Sequence, residues 1–156
     1  SRPVGVLWTE RDANGRYLCP ECLAKGPFTP VPPRKYLLQS VSLTPIYFHT
    51  SLFQPQEFTE QVESIAGAYQ ASGRLPSRPD DSNGVSVGYD YGFLLYALTE
   101  LKHPLAKLLY ERTLGLLDST GAWSEYYLDG APRGTRCRPW ESAINLEAVL
   151  RWANQA

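Results

Sequence analysis

The sequence predicts a mainly α domain of stacked antiparallel helical hairpins, preceded by an irregular N-terminal arm with room for a small β-hairpin. Three observations point there. Phe58, Val62, Ile65, Ala66 and Tyr69 fall at i, i+4, i+7, i+8 and i+11, one continuous stripe of helical period. Residues 89–101, YDYGFLLYALTEL, are apolar nearly all round and are followed at once by a proline-led second helix, which makes an α-hairpin. The first 54 residues, by contrast, show no sustained period and hold a proline cluster. The expected division is an arm over 1–54 and a helical-hairpin domain over 55–156, together one compact unit.

Composition narrows the function classes. The chain has 156 residues, 43% hydrophobic and 20% charged, enough for one domain with a real core. A formal net charge of −1 and no long basic run argue against a nucleic-acid surface held by phosphate contacts. No apolar stretch reaches the roughly 18 residues a membrane span needs, and the opening SRPVGVLWTERD lacks a signal-peptide core. Methionine is absent even at position 1, so the chain is expected to be a piece of a longer protein. Three cysteines, an odd count, favour a reducing compartment and a cytoplasmic location.

Within the arm, Asn14-Gly15 marks a tight turn between VLW and RYL. Cys19 and Cys22 form a C-x-x-C, the spacing by which two thiolates reach one zinc ion. The remaining ligands would have to come from Cys137, His49 and His103, with no second knuckle, so structural thiols are the first reading and zinc the second. Otherwise no cofactor is expected. Residues 35–54 are apolar, with Pro45 splitting them, and fit either two short strands or a helical turn before a strand. His49 reads as a packed, hydrogen-bonded histidine.

The helix over 56–72 closes at Ser72-Gly73, with Gly73 as a left-handed cap. Residues 73–88 form a long polar loop, in which adjacent Asp80 and Asp81 could hold a cation or sugar hydroxyls. The buried helix over 89–101 opens with Tyr89 and Asp90, an acid that the helix dipole stabilises. Its partner covers about 104–117. The stretch 119–149 then interleaves carboxylates with large rings: Trp123, Glu125, Tyr126 and Tyr127, a Gly/Arg-rich loop that includes Arg136, and Trp140-Glu141 at the start of a last helix over 140–154. Ring faces cover the C–H surface of a sugar while carboxylates take its hydroxyls or do acid/base work. The competing reading makes Trp123 and Trp140 core residues and pairs Glu125 with Arg133, Arg136 or Arg138.

The order of these pieces resembles the closing hairpins of the six-hairpin glycosidase superfamily, the (α/α)6 toroid. The matching segments are Gly73-Arg74-Leu75-Pro76, Tyr89-Asp90-Tyr91-Gly92, Gly121-Ala122-Trp123-Ser124-Glu125-Tyr126-Tyr127 and Pro139-Trp140-Glu141-Ser142-Ala143. The resemblance covers about residues 56–156 and implies a partial α/α toroid, since a full one needs about twelve helices. It implies Glu125 as the acid or base, with Asp90, Glu141 or the Asp80/Asp81 pair as the second carboxylate. Trp123, Tyr126, Tyr127, Trp140, Tyr89 and Arg136 would grip the substrate. The expected partners are a carbohydrate and either the rest of a longer chain or a second copy, docked on exposed helix faces. The alternative is a non-catalytic structural or interaction domain, with a zinc- or thiol-based knuckle at Cys19/Cys22. Terpenoid cyclase or prenyl-transfer chemistry ranks lower, because the chain lacks an aspartate-rich helix for diphosphate.

Overall fold

The computed structural model describes residues 40–48, 54–75 and 84–155. All belong to one compact unit spanning Leu37–Ala156. Cys19, Cys22, Asn14-Gly15, His49, Asp80 and Asp81 lie outside the described residues.

Helical turns at Ser40–Leu43 and Thr44–Tyr47 come first, so 40–47, most of the described part of 35–54, is helical rather than extended. A 3₁₀ turn at Pro55–Phe58 leads into α1, Thr59–Ser72. Proline fits that first turn because its missing N–H would have no partner there. The Gln54 backbone N–H donates to Glu57 Oε1 at 2.8 Å, half of a capping box. Gly73 closes α1 at φ 68°, its N–H bonded to Tyr69 O at 2.7 Å, as the left-handed cap requires.

The centre of the unit is α2, Asp90–Glu100, buried on every side from Asp90 to Thr99. It packs most extensively on α4, Pro139–Ala153, and also meets the N-terminal helical turns, α1 and α3, Ala106–Gly115. Gly92 lets α2 and α4 approach closely. A Cβ there would lie 2.9 Å from the backbone carbon of Ile144. Tyr47 anchors the N-terminal turns, with its ring edge-on to Phe93 and Tyr96 and its hydroxyl donating to Glu147 at 2.7 Å. Burial, then the bond to Glu147, raises the pKa of that hydroxyl well above its usual value. The α2–α3 hairpin forms as expected, turned through Lys102 at φ 53°.

The described residues are mainly helical, but they also carry a three-stranded antiparallel sheet in the order β1-β2-β3; the sequence reading placed the first strand in a polar loop and the third in a Gly/Arg-rich loop, and gave the second no element. β1 is Val85–Val87, β2 is Ser124–Leu128 and β3 is Ala131–Arg136. β2 and β3 are joined by Asp129 and Gly130, both at positive φ (49° and 81°). That is the backbone a two-residue hairpin turn demands, and Asp-Gly is its strongest sequence signal. Pairing runs Leu128 to Ala131, Tyr127 to Pro132, Tyr126 to Arg133 and Ser124 to Arg136. Between the last two pairs β2 has one residue, Glu125, and β3 has two, Gly134 and Thr135, so the bulge lies in β3 opposite Glu125.

Candidate functional site

Glu125 faces the bulge in β3. Two residues of the bulged strand, Gly134 and Thr135, stand opposite it there. The Glu125 carboxylate turns over β3, where Gly134 at φ 71° leaves room: a Cβ at 134 would lie 2.7 Å from Glu125 Oε2. Oε2 accepts the Thr135 backbone N–H at 3.1 Å. Oε1 is ion-paired with Nη1 of Arg138, and the Glu125 side chain remains 35% exposed.

Arg138 links the hairpin to α4. It precedes Pro139, which holds it in extended backbone (φ −64°, ψ 135°) and starts the helix. Its Nε lies 3.4 Å from Oε2 of Glu141, one turn into α4 and only 1% exposed. A carboxylate in a helix's first turn is favoured by the dipole. One guanidinium therefore grips two carboxylates, which keeps them within the roughly 10 Å over which carboxylate pairs cooperate in glycoside hydrolysis.

The turn into α2 completes the cluster. Gly88 N–H donates to Glu125 O at 2.8 Å, and Gly88 O accepts Asn145 Nδ2 at 2.9 Å. The glycine is required, since a Cβ there would collide with the Ser124 carbonyl. Tyr89 follows, edge-on to Trp140 with centroids 6.2 Å apart. Trp140 is 49% exposed and offers a ring to solvent. The Tyr89 hydroxyl is pushed up by burial first, then by Asp90 and Glu141, with Arg138 opposing. Asp90 is next along and buried. Desolvation alone pushes its carboxyl from 3.8 to about 8, so it holds its proton at neutral pH.

Of the expected residues, Glu125 and Glu141 thus share Arg138, Tyr89 lies against Trp140, and Asp90 is the next residue after Tyr89. Other expected residues do not join. Trp123 is 5% exposed, its indole N–H bonded to Thr113 O at 2.8 Å. Tyr127 is fully buried and its hydroxyl donates to Leu116 O at 3.1 Å. Both satisfy carbonyls at the end of α3 and have no ring face left for a ligand. Tyr126 is half-buried beside Gly134, and Arg136 pairs with Asp118 at 3.3 Å. Thr120 and Ala122 donors hold the Asp118 carboxyl below its usual range, with Arg136 adding to this. Among the described residues no group of three or more His, Cys, Asp or Glu could hold a metal, and Cys137 is a free, exposed thiol.

The sequence reading named Arg138 only as one of three arginines that could pair with Glu125, the one that does so here, and passed over Thr135, Asn145 and the two glycines. Arg138 was detectable as the i, i+3 partner of Glu141, and Asn145 as its i+4 neighbour. Comparison with known proteins found no matching family model, no matching curated protein and no matching solved structure.

Proposed function

We propose that this chain is a carbohydrate-active, glycoside hydrolase-like domain, arranged as the closing part of an α/α toroid. Its oligosaccharide would lie across Tyr89 and Trp140 with Glu125 and Glu141 beneath. The observation that carries this reading is the paired carboxylate grip of Arg138 beside an exposed tryptophan ring. Glu125 is the carboxylate open to substrate, and Asp90 is the carboxyl that keeps a proton to give near neutral pH. In this reading Asp80 and Asp81 supply contacts to sugar hydroxyls. The remaining toroid helices would come from a longer chain.

The test is a titration with mono- and oligosaccharides, read at the tryptophan indole N–H signals. The Trp140 signal should shift and the buried Trp123 signal should not. Glu125→Gln should abolish turnover and leave binding. No response to any sugar from a well-dispersed spectrum, or full turnover by Glu125→Gln, overturns the reading.

A second reading is a non-catalytic structural or interaction domain. It is favoured by Glu125 having one oxygen on Arg138 and the other on the Thr135 N–H, as a purely structural carboxylate would. The zinc or thiol knuckle at Cys19/Cys22 belongs to that reading. One equivalent of zinc, lost together with folding on chelation, would support it.

A further inference from the structure

Glu141 and Asn145 are four residues apart on α4, so their side chains share one face of the helix. Both turn toward the corner where Gly88 leads into α2. The Glu141 Cγ lies 3.0 Å from where a Cβ on Gly88 would sit. Asn145 is fully buried, and its bond from Nδ2 to Gly88 O fixes which way the amide points. The flipped amide would set Oδ1 against the Gly88 carbonyl, acceptor against acceptor. Oδ1 instead faces Gly92, where a Cβ would be 2.7 Å away.

Neither Glu141 Oε2 nor Asn145 Oδ1 receives a hydrogen bond, although both are buried. The 3.4 Å approach of Arg138 Nε to Oε2 gives charge compensation without hydrogen-bond geometry. Two buried acceptors one helical turn apart on α4 call for donors, because each unsatisfied one is strongly destabilising. One small molecule with two O–H donors meets both needs. Water reaches acceptors at about 2.8 Å, so it spans two oxygens roughly 4.5 Å apart, a separation open to i, i+4 side chains. A metal ion would want more oxygen ligands than this pair supplies.

We propose that Glu141 Oε2 and Asn145 Oδ1 hold one ordered water between them. Through that water Asn145 acts as a positioning residue for the Glu141–Arg138–Glu125 cluster. The water donates one proton to each acceptor, so Glu141 is fixed from the side opposite Arg138. This goes beyond the hydrolase reading and stands whether or not the domain turns over a sugar.

A crystal structure of the chain that shows ordered solvent tests the site directly. One water within hydrogen-bond distance of both oxygens is the expected result. A metal ion there, or both oxygens bonded directly to protein donors, overturns it. The positioning role is read from the Arg138 Nε–H signal by NMR. Asn145→Ala should lose that signal through fast exchange while the rest of the spectrum stays dispersed, and Asn145→Asp, whose buried carboxyl in its protonated form keeps both a donor to Gly88 O and an acceptor, should retain it. An unchanged Arg138 signal in folded Asn145→Ala refutes the role, and if that variant does not fold, the wild-type crystal structure decides.

Discussion

Asp90 has the clearest consequence for a single residue. Its folded pKa, about 8, lies above the unfolded value of 3.8. Between those values the native state holds a proton that the unfolded state has lost, so stability falls as pH rises through this window and levels off above it. Asp90→Asn removes the titration. Urea unfolding from pH 4 to 9 should show the wild-type slope flattened in the variant. Arg138 is the opposite case. Removing it leaves the carboxylate of Glu141, 1% exposed, without its cation. Arg138→Leu should cost roughly 3 kcal/mol, the lower end for a broken buried pair, since the guanidinium is itself partly exposed. Chemical denaturation of the two proteins at pH 7 measures the difference.

Among the elements, two helical glycines separate packing from propensity. A Cβ added to Gly67 in α1 would meet no atom within 4 Å, whereas at Gly92 a Cβ would meet Ile144. Gly67→Ala should therefore stabilise by about 0.5–1 kcal/mol, because alanine loses less backbone entropy in a helix. Gly92→Ala should destabilise by about 1–3 kcal/mol, because it pushes α2 and α4 apart. Urea midpoints of the two variants should move in opposite directions. The same division explains what was legible in the sequence. α1, α2 and α4 carry long apolar patterns, so their bounds differ from expectation by three residues at most. The sheet carries no such pattern: β1 has three residues, and β3 is exposed from Pro132 onward, with no inward face to alternate. Only Asp129-Gly130 announced the hairpin, inside a stretch read for its chemistry. Trp123 and Tyr127 were misplaced because ring-and-acid composition looks alike whether the polar end meets a sugar or a helix-terminal carbonyl.

At the scale of the described unit, charges and rings meet at both ends of the α2–α4 pair, Arg138 with Glu141 at one and Arg151 with Glu100 at the other, while apolar side chains stay exposed on α4. Leu146 and Leu150 are 49% and 51% exposed and flank a shallow groove with Ala143 and Asn154. If such faces dock a second copy or the rest of a longer chain, Leu146→Ser with Leu150→Ser should lower self-association in sedimentation. Thermal stability should change little, since these side chains lie outside the core. The sealed position of α2 has a consequence on a different timescale. Every residue from Asp90 to Thr99 is closed to solvent, and from Phe93 onward the amides donate back along the helix, so hydrogen–deuterium exchange from Phe93 to Thr99 should wait for the entire unit to open. Trace urea should accelerate those amides with the full slope of global unfolding. Amides on the exposed strand β3 should exchange through local fraying and barely respond. The slowest-exchanging amides would then begin at Phe93, the first to bond back along α2, one turn from the hairpin that carries Glu125.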